Sequence, residues 1–306
     1  YSGTRGLVAT ALLTLVENGR LRLTDRVADH WPAFAAAGKT DITVAQLGAH
    51  AAGLPYIDQP LDGSDLTDPV RLADLLAAQP PVLPVGQPCY HAMTYGWLCD
   101  GLIRHTCGRS AAELVREALA EPLGLDIRIG LNGDQAAAGR LARLQPAPSY
   151  QLTAFTVGEP DPRLHQVYHP SVGAGADAWL EAPLPAANGM ATARAVATLY
   201  GAVVSGTVVG MHTLAEATEA ASQGDDPLTG RPLRFGPTGY ELAGTPSQLG
   251  PAADAFGHTG AGGSSHGGWP QLRTGFSFVS SELRREDLDD RSHRLLASLY
   301  AAVTVA

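Results

Sequence analysis

Apolar residues recur at helical spacing near the beginning of the chain. They occupy the offsets i, i+1, i+4, i+5, i+8 and i+9, which place side chains along one stripe of an α-helix. The positions are Leu7, Val8, Ala11, Leu12, Leu15 and Val16. Asn18 and Gly19 follow directly, and these residue types commonly end a helix. The pattern predicts a first helix with an apolar stripe.

Short helical patterns interrupted by proline and glycine follow. One covers residues 70–79 before two prolines, and another covers residues 92–107 before a glycine. A third helix opens at Ser110, where Glu113 three residues later predicts a capping box. Residues 131–187 are rich in Ala, Pro, Gly and Asp and show little periodicity, so we assign only long connections there, some of them candidates to line a pocket.

The last third of the chain combines helical and strand patterns. Helical spacing returns over residues 191–204, and a final helix is predicted at about 292–303. Between them, residues 274–280 alternate small or polar residues with phenylalanine, as a strand does. Helices at both ends, strands mainly in the last third and a helical middle predict a mixed α/β layer (α+β) with a helical insertion.

Composition and charge exclude several classes of protein. The chain has 306 residues, of which 45% are hydrophobic, so it can bury a core and is not disordered. It carries 21 Lys and Arg against 30 Asp and Glu, a net charge of −9, and its longest basic run is Arg284-Arg285. Nucleic acid is therefore not an expected partner. The longest apolar stretch, residues 7–16, is far shorter than the roughly 20 residues of a membrane span, so we expect none.

The cysteines suggest neither a disulfide framework nor a metal site. Cys89, Cys99 and Cys107 are an odd number, without a CxxC pair or a nearby histidine at metal-binding spacing. We therefore predict reduced, packed thiols, and we expect no metal and no cofactor.

Two segments near helix entries contain residues suited to acyl chemistry. Ser2 stands at the entry to the first helix, with Arg5 three residues later on the same side. Its backbone amide lies at a positive helix end, which suits a developing oxyanion, although a serine there is commonly a plain N-cap. Tyr90 stands at a turn-rich helix entry, where it can transfer a proton if a cation favours its phenolate. The alternative is a half-buried tyrosine with a hydrogen-bonded hydroxyl.

A third segment places His258 and Thr259 in a glycine run, residues 256–265. Glycines let a ligand approach the backbone closely and leave its N–H groups accessible. A flexible turn between strands is the alternative interpretation.

In this order the three segments resemble the signature of the serine β-lactamases and penicillin-binding proteins, which is Ser-x-x-Lys, then Tyr-x-Asn, then Lys- or His-Thr-Gly. The chain is similar to the class C β-lactamase-like branch, which includes the family VIII carboxylesterases, over nearly its whole length. Further similar stretches are residues 19–27, 42–47, 50–55, 90–97, 188–194 and 256–264.

The resemblance implies a role for each motif. Ser2 matches the acylated nucleophile and Tyr90 the proton-transferring tyrosine. His258, Thr259 and Gly260 match the strand beside the bound acyl group, and the N–H groups of Ser2 and Ala261 match the oxyanion hole. The implied reaction is acyl transfer through a covalent intermediate, which replaces one difficult displacement by two easier ones.

Position 5 departs from the family, because Arg5 stands where the family has lysine. A guanidinium stays protonated and cannot act as a general base. Three alternatives remain open. The fixed cation favours the Tyr90 phenolate, which then takes the serine proton alone; or His91 or His258, both also candidates for binding substrate, supplies the base; or hydrolysis is lost and the cleft binds a ligand.

Two further departures concern the substrate. His258 replaces the usual lysine of the third motif, and Ala92 replaces the usual asparagine two residues after the tyrosine. Both argue against β-lactams and favour a small ester, thioester or amide. The segment after the glycine run can contribute His266 or Trp269 to the pocket, although a turn with one packed tryptophan is the preferred interpretation.

Together these features predict a single β-lactamase-like domain over residues 1–306, with an antiparallel sheet flanked by helices. The α/β part is expected at about 1–38 and 190–306, and the helical insertion at about 39–189. The resemblance implies strands ahead of Ser2, so we expect the sequence to begin inside the fold, and we favour a cytoplasmic location.

The predicted function is a serine acyl hydrolase or acyltransferase that acts on a small-molecule acyl substrate through a Ser2 acyl-enzyme. One alternative is a repurposed or inactive member of the family that binds a small molecule or a partner. Another is an unusual biosynthetic acyl-transfer enzyme.

Overall fold

The strands assemble mainly into one sheet. The computed structural model describes residues 1–61, 65–148, 150, 177–244, 249–284 and 289–305. Its strands are β1 (Ile127–Ile129), β2 (Gln145–Pro146), β3 (Gly189–Ala191), β4 (Ser222–Asp225), β5 (Pro232–Phe235), β6 (Glu241–Leu242), β7 (Phe256–Gly260), β8 (Ser264–Trp269), β9 (Thr274–Phe278) and β10 (Glu282–Leu283). Strands β4 to β9 form a six-stranded antiparallel sheet in sequence order. β1 pairs antiparallel with β3, and β2 pairs parallel with β10.

The helices occupy the first half of the chain and the two flanks of the sheet-forming region. They are α1 (Thr4–Glu17), α2 (Val27–His30), α3 (Val44–Gly48), α4 (Pro69–Ala78), α5 (Thr94–Cys107), α6 (Ala111–Val115), α7 (Glu121–Leu123), α8 (Gln135–Ala138), α9 (Asp177–Glu181), α10 (Ala193–Val204), α11 (Met211–Ala217) and α12 (Arg291–Val305). A 3₁₀ helix at Pro32–Gly38 precedes α3, and a π-helical turn at Arg116–Ala120 joins α6 to α7.

Helix α1 is confirmed, but it is buried on every side rather than along one stripe. All of its residues from Thr4 to Leu15 are buried, because α1 lies between α5, α6, α11 and β7. Its threonines tolerate burial because their hydroxyls bond to the helix itself: Thr10 donates to the Gly6 carbonyl at 2.7 Å and Thr14 to the Ala11 carbonyl at 2.7 Å. The first helix of the sequence is therefore the central helix of the fold.

The other predicted elements appear with small shifts. The patterns at 70–79, 92–107 and 292–303 correspond to α4, α5 and α12, and residues 274–280 contain β9. The capping box is confirmed, since the Glu113 N–H donates to the Ser110 hydroxyl at 3.2 Å and the Ser110 N–H donates to the Glu113 carboxylate at 2.8 Å. The helix predicted at 191–204 starts two residues before the observed helix, because residue 191 ends β3 and Thr192 caps α10.

The segment without an assigned structure, residues 131–187, holds the short elements α8, β2 and α9 where the structure describes it. Residues 151–176 lie outside the described residues.

Helix α10 packs closely on the sheet at β8 and β9. A Cβ atom on Gly275 of β9 would collide with the backbone of Gly201 in α10, so only glycine permits this approach. A second apolar cluster, around Trp269 and Phe276, includes Leu296 of α12. The mixed α/β architecture with an antiparallel sheet is thus confirmed, whereas the domain boundaries near residues 39 and 190 stay a prediction. Within the described ranges, no helix combines the length and apolarity needed to cross a membrane.

Candidate active site

Ser2 lies in the turn that leads into α1, and the first turn of that helix is fixed on both sides. The Tyr1 carbonyl accepts hydrogen bonds from the Thr4 N–H at 3.0 Å and from the Thr4 hydroxyl at 2.7 Å. The Gly189 N–H in β3 donates to the same hydroxyl at 2.8 Å. Ser2 itself is half-buried. The turn therefore presents Ser2 from a well-anchored helix start.

The end of β7 packs against this turn. A Cβ atom on Gly260 would lie 3.3 Å from the Gly3 nitrogen and 3.6 Å from the Ser2 nitrogen, so the two backbones are in close contact. In the described part of the chain, neither the Ser2 N–H nor the Ala261 N–H donates to another protein group. Two backbone amides of this kind can stabilise an oxyanion.

Arg5 carries a buried positive charge inside this site. Its side chain is only 2% exposed, and its Cζ atom lies 4.8 Å from the centroid of the Tyr90 ring. Its Nε and Nη1 atoms are buried without a hydrogen-bond partner, and no carboxylate of the described residues forms a salt bridge with it. A buried cation without a counter-ion is costly, so the site strongly favours a negative charge nearby.

The Tyr90 ring is half-buried in a cluster of rings. Its centroid lies 5.0 Å from that of His50, 6.0 Å from that of Phe235 and 6.2 Å from that of His258. Arg5 adds its guanidinium to the same cluster. The structure therefore brings the arginine, the tyrosine and the histidine predicted from the sequence together.

His258 is neutral near pH 7. Burial, and then the charge of Arg5, lower the pKa of His258 to about 3. Its Nδ1 donates to the Thr259 carbonyl at 2.7 Å, which leaves Nε2 as a buried acceptor without a partner. Thr259 is engaged elsewhere, because its hydroxyl and its N–H donate to the Glu241 carboxylate at 3.0 and 3.2 Å.

The structure does not bring the His91 side chain into the site. His91 is fully buried, its Nδ1 donates to the Cys89 carbonyl at 2.6 Å, and its Nε2 accepts from the Leu54 N–H at 3.0 Å. Burial lowers the pKa of His91 to about 4. Since both ring nitrogens are used within the protein, His91 joins two loops and has no nitrogen left for a substrate or a proton transfer.

His266 and Trp269 belong to strand β8 rather than to a turn. The His266 ring lies directly beneath the turn of Ser2, since a Cβ atom on Gly3 would be 2.7 Å from its Nε2. Burial lowers the pKa of His266 to about 4, and its Nδ1 is 2.8 Å from the Ser277 hydroxyl. Trp269 is a packed core residue, whose indole N–H donates to the Leu249 carbonyl at 2.9 Å.

Three polar residues of the site were not predicted from the sequence. Glu241 supports Thr259, while Asp226 and His50 contact the segment that carries Tyr90. His50 falls in a stretch that resembles the family, which was the available signal. Asp226 and Glu241 lie in short, polar segments without a pattern, and only the folded chain brings them to the site.

The cysteines are free thiols, as predicted. Cys89 and Cys99 are buried and Cys107 is half-buried. Burial, together with the neighbouring Asp226 carboxylate, raises the pKa of the Cys89 thiol. Among the described residues, no cluster of His, Cys, Asp and Glu is arranged to hold a metal ion.

The chain is similar to known proteins over most of its length. The "Esterase/beta-lactamase LipL" of Mycobacterium tuberculosis (strain ATCC 25618 / H37Rv) is 34% identical over 297 residues, which are 91% of this chain and 67% of that protein. A penicillin-binding protein homologue from Caulobacter crescentus superposes with a TM-score of 0.87 at 33% identity, covering 99% of this chain and 82% of that one.

A family VIII carboxylesterase superposes with a TM-score of 0.86 at 31% identity, covering 99% of this chain and 82% of that one. The Beta-lactamase family model matches residues 1–300. Nearly the whole chain thus follows one family's sequence pattern and fold. The protein belongs to the beta-lactamase family.

Proposed function

We propose that the protein is a serine hydrolase of the esterase type, which cleaves a small carboxylic ester through an acyl-enzyme on Ser2. The observation that carries this proposal is the position of the Arg5 guanidinium over Tyr90, one helical turn after Ser2. The relatives named an esterase/beta-lactamase and a family VIII carboxylesterase support the reaction class.

The first half-reaction acylates the serine. Tyr90, as phenolate, accepts the Ser2 hydroxyl proton while the serine oxygen bonds to the ester carbonyl carbon. The carbonyl oxygen becomes an oxyanion, which the Ser2 and Ala261 amides receive. When the intermediate collapses, the bond from carbon to the alcohol oxygen breaks, and the Tyr90 hydroxyl returns its proton to the leaving alcohol.

The second half-reaction releases the acid. A water molecule takes the place of the alcohol, Tyr90 accepts one of its protons, and the water oxygen attacks the acyl carbon. The bond between the Ser2 oxygen and the acyl carbon then breaks, and Tyr90 reprotonates Ser2. An alcohol or amine in place of water would give acyl transfer instead of hydrolysis.

In this proposal Arg5 is an electrostatic group and not a base. Its charge, which no carboxylate of the described ranges pairs, lies against the Tyr90 ring and favours the phenolate over the neutral phenol. Burial of the guanidinium strengthens this effect, because solvent screens a buried charge less than an exposed one.

The acyl substrate is proposed to be uncharged or weakly polar around its acyl group. The residue that replaces the third-motif lysine, His258, is neutral and points its unpartnered nitrogen into the protein. Ala92, at the position of the usual asparagine, has no polar group and is buried. A β-lactam carboxylate would find no cation at either position.

Intact-mass spectrometry with p-nitrophenyl acetate and butyrate tests the proposal. We expect the mass of the protein to increase by one acyl group, and Ser2→Ala to abolish both the adduct and the release of nitrophenol. Tyr90→Phe should slow the adduct by at least 100-fold. A folded protein that forms no adduct and shows no serine-dependent cleavage would exclude the proposal.

A second candidate function, a binding protein without turnover, is favoured by the unpartnered Nε and Nη1 atoms of Arg5. Such a protein would hold a carboxylate or another anion at Arg5. Calorimetric titration with small carboxylic acids separates the two candidates. Tight binding of an acid to Ser2→Ala, together with no acyl adduct on the unmodified chain, would support a binding protein without turnover.

A further inference from the structure

The backbone around Tyr90 is held by acceptors from outside its own segment. The Cys89 N–H donates to the His50 carbonyl at 3.0 Å, and the His91 N–H donates to the His50 Nδ1 at 3.0 Å. The Tyr90 N–H between them donates to the Asp226 carboxylate at 3.3 Å. Three consecutive N–H groups are thus bound by two residues, and His50 binds the two that flank Tyr90.

His50 makes these contacts from a costly backbone conformation. It follows α3 with φ at 59°, in the left-handed region that glycine usually occupies at a helix end. The Ala51 N–H donates to the Gln46 carbonyl at 2.8 Å across it, which completes that helix ending. After glycine, the residues found there most often are Asn, Asp and His. From this position the His50 Nδ1 reaches the His91 N–H.

The direction of the hydrogen bond fixes the protonation of the His50 ring. Because Nδ1 accepts from the His91 N–H, Nδ1 carries no proton, and the neutral ring has its proton on Nε2. His50 is fully buried. Its ring stacks on that of Tyr95, with 5.0 Å between the ring centroids, and its centroid lies 4.4 Å from that of Phe235. The ring cannot rotate away from the Tyr90 segment without disturbing this packing.

We infer that His50 is a positioning residue for the acyl-transfer reaction. Its carbonyl accepts the N–H of the residue before Tyr90, and its Nδ1 accepts the N–H of the residue after Tyr90. These two hydrogen bonds hold the Tyr90 backbone, and with it the ring, beside the Arg5 guanidinium. This inference rests on the proposed function, in which Tyr90 moves the serine proton. A displacement of about 1 Å is enough to slow such a step by about 100-fold.

Three substitutions separate the Nδ1 acceptor from the rest of the side chain. His50→Asn tolerates the left-handed backbone and places its Oδ1 where Nδ1 was. His50→Gln extends its amide beyond that position, and His50→Gly keeps the backbone and the carbonyl but removes the acceptor. The exposed His212, whose side chain is 88% accessible, provides the matched control His212→Asn.

We expect His50→Gly and His50→Gln to lower kcat for p-nitrophenyl acetate by 10- to 100-fold while KM changes less than threefold. His50→Asn should recover kcat to within about fivefold of the unmodified chain. Thermal unfolding midpoints of the four variants identify any loss that comes from unfolding instead of from positioning.

Nuclear magnetic resonance of protein labelled with ¹³C at tyrosine Cζ gives a readout that does not depend on turnover. Tyr90→Phe assigns the Tyr90 resonance. Its chemical shift and its ionisation should move in His50→Gly and His50→Gln and return in His50→Asn.

Two outcomes would overturn the inference. One is a folded His50→Gly variant with an unchanged Tyr90 resonance and unchanged kcat. The other is equal loss in His50→Asn and His50→Gly, which would assign the effect to Nε2 or to the ring. A different result is that Tyr90→Phe reacts normally while the Tyr90 resonance of the His50 variants still follows this pattern. In that case the positioning of Tyr90 by His50 is supported, and the proposed function of Tyr90 is wrong.

Discussion

Arg5 and Tyr90 form a cation–π contact, with the guanidinium carbon 4.8 Å from the ring centroid. The family motif places a lysine at position 5, which can exchange a proton, whereas an arginine offers only a fixed charge. In the proposed mechanism the tyrosine therefore moves the proton, and the cation sets the balance between phenol and phenolate.

Removal of the charge at position 5 should cost most of the activity. We expect Arg5→Gln to lower kcat/KM for p-nitrophenyl acetate by about 100-fold, because nothing then favours the phenolate. Arg5→Lys keeps a cation and should stay within tenfold of the unmodified chain. The control is Arg294→Gln, since the Arg294 side chain is 77% exposed. Full activity of Arg5→Gln would contradict an electrostatic role.

The contact between Tyr200 and Gly6 leads to a prediction about stability. The Tyr200 hydroxyl is buried and has no hydrogen-bond partner among the residues that the structure describes, and a Cβ atom on Gly6 would collide with it. We expect Gly6→Ala to lower the free energy of unfolding by about 2 kcal/mol or more, as overpacking does. Tyr200→Phe should be neutral or stabilising, because an unsatisfied buried hydroxyl costs about 1–3 kcal/mol.

The double variant Gly6→Ala/Tyr200→Phe should then regain most of the loss, because the nearest ring atom, Cζ, lies 3.4 Å from the new methyl position. Urea unfolding of all four proteins measures this coupling. Strictly additive effects would show that the hydroxyl is not the obstacle.

Four buried histidines should make the fold sensitive to acid. They are His50, His91, His258 and His266. Burial lowers the pKa of His91 and His266 to about 4 and, with Arg5, the pKa of His258 to about 3. Between pH 6.5 and 4 the unfolded chain therefore binds protons that the folded chain does not, and the free energy of unfolding falls as the pH falls.

Each histidine contributes a slope of up to about 1.4 kcal/mol per pH unit in that range. Urea unfolding at pH 7.5, 6 and 5 measures the total slope. His91→Gln should reduce it by about one proton. A free energy of unfolding that is constant from pH 7 to pH 5 would contradict this account.

Arg291 braces the turn that carries Ala261. Its guanidinium binds the buried Asp289 carboxylate at 2.6 and 2.7 Å and donates to the Gly262 carbonyl at 3.4 Å. Arg291→Lys keeps the charge but loses the planar fork. We expect the rate of acylation to fall about tenfold, because the Ala261 amide is less well placed.

The control for this prediction is Arg294→Lys on the same helix, and stopped-flow release of nitrophenol gives the acylation rate. An unchanged rate in folded Arg291→Lys would mean that the turn holds its shape without Arg291.

Elements with strong local signals could be predicted from the sequence. The capping box at Ser110 and the left-handed Gly108 after α5 depend on neighbouring residues alone, so their patterns were sufficient. Ser2, Tyr90 and His258 could be proposed as site residues because the order of the family's motifs matches them. Strand β4, with the sequence Ser-Gln-Gly-Asp, has no alternation, and its pairing with β5 forms it.

His91 shows why adjacency in sequence was not enough. It follows Tyr90 directly, yet its ring turns away from the site because Cys89 and Leu54 offer both of its nitrogens a partner. Only the three-dimensional arrangement of those two loops decides the direction of the side chain.

The position of α1 also has a consequence for the order of folding. The sheet strands β4 to β9 pair with their sequence neighbours, so each closes only a short loop. Helix α1 instead needs α5, α6, α11 and β7 in place around it, and these lie far along the chain. During refolding we expect the sheet signal to recover before the ability to acylate Ser2, which makes that ability a sensitive reporter of completed assembly.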